Sequence, residues 1–180
     1  MTGSAPFLRL LVQEHRTRNR KPAMNAMLHS PADSRPAPVM SSEWLTAEEI
    51  RIIRYQFARV GEDADGFAKD FYGSLFSIAP LLRAMFRGDM AEQRAKLVRM
   101  LAMLVAQLKS PEALVAPLAA LGERHRGYGA IPMDYEFVGR ALMRALALRL
   151  GDDFDVTAHA AWNRLYGHVA AIMQDGARRR

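Results

Sequence analysis

No cysteine occurs anywhere in the chain. That absence excludes disulfides, thiolate metal sites, iron–sulfur clusters and thioether-linked cofactors. It also fits a reducing compartment, so a cytoplasmic location is expected. Long apolar runs are missing too: the longest mainly apolar stretch, residues 100–108, falls far short of the roughly 20 residues that cross a membrane. Ile, Val and Thr are sparse beside Ala and Leu, so helix formers outnumber strand formers. There is no nucleotide-binding glycine loop, no nucleophile elbow and no pair of histidines at zinc spacing. The common hydrolytic and nucleotide-dependent chemistries have no residues here to carry them.

Half of the 180 residues are hydrophobic, enough for one domain with a sizeable core. The net charge of +6 is unevenly placed. Residues 1–43 hold six basic and three acidic side chains, and Arg178, Arg179 and Arg180 add three positives. Residues 44–177 then hold sixteen of each sign. Binding of nucleic acid would need basic residues clustered on that body, and the sequence shows none, so nucleic acid is not an expected partner.

The chain therefore divides into a basic N-terminal extension (1–43), a folded body (44–177) and a short basic tail (178–180). Within the extension, residues 7–12 are apolar, Arg16, Arg18, Arg20 and Lys21 follow, and Pro31, Pro36 and Pro38 oppose helix. A flexible tail, a membrane-surface or targeting segment, and an overlong start with Met24, Met27 or Met40 as the initiator are the alternatives.

Periodicity predicts an all-α body of six to eight helices. Thr46 and Glu49 form a capping box for a first helix that ends near Gly61, with Ile50, Ile53, Phe57 and Val60 inward. A second covers residues 65–76, and Pro80 opens a short turn reaching Phe86. A third covers 89–108 with the stripe Gln93, Leu97, Met100, Leu104 and Leu108. Ser110 and Pro111 are predicted to cap and open a fourth, with Leu114, Leu118, Leu121 and His125 in line; Pro117 is expected to bend or delay it. Two more cover 134–150 and 155–175, the last with Trp162, Leu165, Tyr166 and Val169 inward.

Of five histidines, His15 and His29 lie in the extension, while His159 and His168 lie on the last helix without carboxylates at ligand spacing. His125 differs because it continues an apolar stripe. It is either a satisfied core residue or a metal ligand. A buried imidazole needs a partner for each nitrogen; one can donate to the Leu121 carbonyl, and the other then faces across the core. Gln93 at the head of an apolar stripe and Tyr72 on an inner face add an amide and a phenol, each costing about 1–3 kcal/mol if buried without partners.

From residue 45 to 172 the chain resembles bacterial single-domain haemoglobins and the globin domain of flavohaemoglobins. The resemblance rests on Phe71-Tyr72-Gly73-Ser74-Leu75-Phe76 followed by Pro80 and Phe86, on Gln93-Arg94, and on His125 with Gly129, Pro132, Tyr135, Val138 and Gly139. Ala161-Trp162 and Tyr166-Gly167 complete it. It implies a globin fold holding one non-covalent haem b, with His125 as the proximal iron ligand. Tyr72 and Gln93 match the distal hydrogen-bonding pair, Leu97 the apolar residue beside the ligand, and Phe86 the ring wedged against the porphyrin. Val138 and Tyr166 match the proximal lining, and Arg124 a basic residue near a propionate. The family pairs Tyr135 with a late glutamate, but the matching residue is Ala177, and two residues turn Asp175 to another helix face. The stretch between Phe86 and Gln93 is also slightly shorter than the family's.

The function implied is reversible binding of dioxygen or another diatomic gas, such as nitric oxide or carbon monoxide. Nitric oxide dioxygenase activity would require a separate flavin reductase as partner, and a homodimer is also allowed. The alternatives are a gas sensor that uses the N-terminal extension to contact a partner, and a globin-like scaffold without haem.

Overall fold

Thr46 caps the first helix of the computed structural model, which describes residues 44–178. Its hydroxyl accepts the Glu49 N–H at 3.1 Å while the Glu49 carboxylate accepts the Thr46 N–H at 2.7 Å, the reciprocal bonding expected of the box. Helix α1 (Ala47–Gly61) follows. Asp63 accepts from Gly66 N–H at 3.0 Å to start α2 (Ala64–Ile78). A 3₁₀ turn, Pro80–Met85, leads to Asp89, which caps α3 (Met90–Ala106) by accepting the Ala91 N–H at 2.8 Å.

Helix α4 (Glu112–Gly127) departs from its predicted start. The Ser110 hydroxyl does not cap it. Pro111 already has helical geometry, φ −63° and ψ −25°, so the first turn closes through the main chain, Ala113 N–H to the Ser110 carbonyl and Leu114 N–H to that of Pro111. Pro117 lies inside this helix without delaying it, although it withdraws one N–H from the ladder. Helix α5 (Pro132–Leu150) opens on Pro132 in the first turn and stops at Gly151, whose φ of 55° suits a residue without a side chain. A 3₁₀ turn (Gly151–Asp153) and Asp155, accepting from Ala158 N–H at 2.8 Å, lead to α6 (Val156–Arg178), which ends three residues later than the sequence pattern indicated.

The described residues contain no strand, and their helix count agrees with the all-α expectation. Helix α4 packs most extensively on α6, and α2 on α5; α1 leans on α6, and α3 on α2. Helices α3 and α4 do not pack closely on one another. Across the α2–α5 contact, Arg149 donates to Asp63 at 2.6 Å and to Asp70 at 2.5 Å. The core is built on Trp162, Phe67, Ile53, Leu118 and Leu146, all almost fully buried. No helix is long and apolar enough to cross a membrane among the described residues. The basic N-terminal extension (1–43) and Arg179 and Arg180 of the basic tail lie outside the described residues.

A polar link crosses this core. The Trp162 indole N–H donates to the Gln56 side-chain oxygen at 2.9 Å, and the Gln56 amide donates to the Asp153 carbonyl at 2.5 Å. Gln56 is buried, so its amide joins α1 and α6 where water cannot replace it. Gln56→Leu leaves the indole N–H without an acceptor, and stability should fall by about 1–3 kcal/mol. Urea denaturation should show a lower midpoint at unchanged slope; an unmoved midpoint would mean the link contributes nothing.

Candidate functional site

His125 sits in the last turn of α4. Leu114 and Leu118 in its stripe are buried, whereas Leu121 and His125 are half-buried. His125 Nδ1 meets the Leu121 carbonyl at 2.9 Å. A carbonyl only accepts, so Nδ1 carries the proton and Nε2 the lone pair. That Nε2 has no hydrogen-bond partner among the described residues, yet it is not sealed in the interior. Burial lowers the His125 pKa below the usual imidazole value; the Leu121 carbonyl opposes this and the Arg124 charge adds to it. A neutral imidazole locked through Nδ1, with Nε2 left over, is the donor a haem iron takes.

Tyr72 is buried on α2, its ring 5.0, 5.8 and 5.4 Å from those of Phe71, Phe76 and Phe86. Its hydroxyl donates to the main-chain carbonyl of Gln93 at 3.3 Å, not to the Gln93 side chain. Burial pushes the phenol pKa up to about 12, so it stays a protonated donor. Phe86 follows the 3₁₀ turn and is pinned on both sides. Its ring lies 5.5 Å from that of Phe76, and its carbonyl accepts from Arg83, whose guanidinium covers the Phe76 ring at 5.2 Å. Gln93 is half-buried in the first turns of α3 and its side-chain amide bonds no described residue. Leu97, one turn on, is half-buried against the core.

A second group joins α5 to α6. The Tyr166 hydroxyl donates to the Tyr135 carbonyl at 2.5 Å. Its ring lies over Gly139, where a Cβ would stand 2.6 Å from Cε1. Burial is the main cause that raises the pKa of both phenols, with Tyr135 adding to the rise at Tyr166 and Asp134 to that at Tyr135. Val138, next to Gly139, and Arg124, next to His125, are half-buried. Asp175 lies 4.0 Å from Arg178, and Ala177 has no polar side chain to offer. The partner of His125 Nδ1 is thus a peptide carbonyl and not a carboxylate.

The structure brings Tyr72, Phe86 and Gln93 together, and Tyr135 with Tyr166; His125 bonds neither group, and its helix, α4, does not pack closely on α3. Two surface hollows of about 580 and 470 Å³ contain none of the nine predicted residues; the first is lined by Trp44, Ile50 and Leu108, the second by Phe154 and His159. His159 is exposed and bonds Asn163 at 3.0 Å, while the His168 ring lies 4.7 Å from that of Trp44. No cluster of three or more histidine or acidic side chains suited to a metal is present among the described residues. Sequence reasoning missed Gly122 and Gly176. Both are buried where α4 meets α6, and their signal was the cost of glycine within a helix.

Comparison with known proteins identifies the frame in which this geometry stands. The globin family model matches residues 69–173. Flavohemoproteins of Rhizobium meliloti and Deinococcus radiodurans are 26% and 29% identical over 72% of this chain. The aligned part is 33% of each of those proteins, so the chain spans about a third of their length. Hemoglobin subunit zeta of Capra hircus is 26% identical over 73% of this chain and 96% of its own. Among solved structures, a hexacoordinated heme protein from an anhydrobiotic tardigrade superposes with a TM-score of 0.68 at 17% identity, covering 75% of this chain and 96% of that one. An engineered carbene transferase from Rhodothermus marinus gives 0.66 at 22%, covering 74% and 93%. Over more than half its length the sequence matches that model, and the chain belongs to the globin family.

Proposed function

We propose that this globin holds one non-covalent haem b between α3 and α4 through His125 and binds dioxygen, or another diatomic gas, reversibly. Haem is the cofactor its family membership brings, and no cysteine is present to attach it covalently. The observation that carries the site assignment is the His125 imidazole, tied through Nδ1 to its own helix with Nε2 left without a partner. Haem held by this imidazole would supply an iron able to take up a diatomic gas.

The other residues take their roles around that bond. Phe86, held edge-to-face against Tyr72 and Phe76, would present a rigid ring to the porphyrin. Val138 and Tyr166 would line the side of His125, and Arg124 would meet a propionate. On the opposite side Leu97 excludes water while Tyr72 and the free Gln93 amide donate to a polar ligand. Dioxygen would gain more from these donors than carbon monoxide would. Each net hydrogen bond contributes on the order of 1 kcal/mol.

His125 lacks a carboxylate behind it, and such a partner is what strengthens an imidazole's donation to its metal. That favours holding a gas over splitting it. Nitric oxide detoxification, in which nitric oxide and dioxygen become nitrate, consumes an electron that a separate flavin reductase would supply. A cytoplasmic setting fits this reading.

Four outcomes test the proposal. His125→Ala should fold, by far-ultraviolet circular dichroism, yet lose the haem absorption or release haem rapidly; a variant as strongly coloured as its parent would refute the assignment. Tyr72→Phe should speed dioxygen dissociation about fivefold, equivalent to roughly 1 kcal/mol, with a smaller effect on carbon monoxide. With the phenol pKa at about 12, the parent's dissociation rate should stay level across neutral and mildly alkaline pH, and a step there would mean another donor dominates. Stopped-flow mixing of the oxygenated protein with nitric oxide should yield nitrate, and its absence would remove the detoxification reading alone.

A further inference from the structure

Glycine within a helix costs roughly 0.5–1 kcal/mol relative to alanine, so two buried glycines on facing helices need a physical reason. A Cβ on Gly122 would stand 2.5 Å from the Met173 carbonyl carbon, and one on Gly176 would stand 2.5 Å from the Ala119 Cα. Both obstructions are backbone, which cannot rotate aside as a side chain can. Ala119 and Gly122 of α4 therefore meet Met173 and Gly176 of α6 main chain to main chain, within the most extensive helix pair of the fold.

His125 follows Gly122 by three residues, about 4.5 Å along the axis and about 60° around it. Its ring is fastened by Nδ1 to the Leu121 carbonyl of the same helix at 2.9 Å. The imidazole therefore moves with the α4 backbone and not independently of it. A shift of α4 directly away from α6 carries about half its length away from the side that His125 faces, by the cosine of that angle.

We propose that the Gly122–Gly176 crossing sets how closely the His125 imidazole approaches its iron, which makes the two glycines positioning residues for that bond. The inference rests on the haem reading above. The crossing acts as a stop: two main chains already in contact have no further approach available, and interiors packed in this way are nearly incompressible.

The test is resonance Raman spectroscopy of the haem-loaded, ferrous, ligand-free full chain. Gly176→Ala should move the iron–histidine stretching band to lower frequency and speed haem transfer to an acceptor apoprotein several-fold. Gln56→Leu, which destabilises the core elsewhere, should leave the band in place. A Gly176→Ala protein that folds, holds haem and keeps the parent's band overturns the proposal. If Gly176→Ala fails to fold, hydrostatic pressure on the parent decides. A band that stays fixed supports the stop, and one that drifts steadily with pressure overturns it. A parent with bound haem but no iron–histidine band would instead defeat the assignment of His125 itself, and this inference with it.

Discussion

The hydrogen bond between His125 Nδ1 and the Leu121 carbonyl is the interaction on which the proposed site depends. It selects one tautomer, holds the ring in one plane and leaves Nε2 for another partner. Without it, a half-buried imidazole could rotate and satisfy itself in several ways, as core histidines do. With it, the remaining nitrogen becomes useful only if something outside the polypeptide takes it. The same bond limits the chemistry, because a peptide carbonyl adds less electron density to the imidazole than a carboxylate would.

On the other side, Tyr72 is arranged with comparable economy. Three aromatic neighbours fix its ring, and its hydroxyl rests on the Gln93 main chain. The phenol already donates to a peptide carbonyl, and a ligand bound as proposed would compete with that carbonyl for its proton. The Gln93 amide carries no such commitment. The two donors expected to act alike thus begin from different states, one engaged and one free.

Much of this was legible in the sequence because the signals were local. The Thr46–Glu49 box, Gly61, Asp89 and Gly151 delimit helices by bonding to the chain within a few residues, and the His125–Leu121 bond spans a single turn. Ser110 misled because the helical geometry of Pro111 closed the first turn without a side chain. The Gln56–Trp162 link and the Gly122–Gly176 crossing were not legible. Each joins segments far apart in sequence, and a polar residue or a glycine inside a helix gives no indication of what it faces. The Tyr72 hydroxyl fell between these cases: its burial followed from periodicity, but its acceptor, a main-chain atom on another helix, did not.

Helix α4 has few supports of its own. No side chain caps its start, Pro117 interrupts its ladder, and Gly122 and Gly127 lower its intrinsic propensity. Its order is lent by α6 and, on the proposed reading, by haem held at His125. A chain emptied of its pigment would loosen here first, and a protease cutting at mobile segments would find this stretch before the capped helices. The lifetime of the polypeptide would then follow the supply of the pigment, so that copies made in excess of it are the first to be cleared.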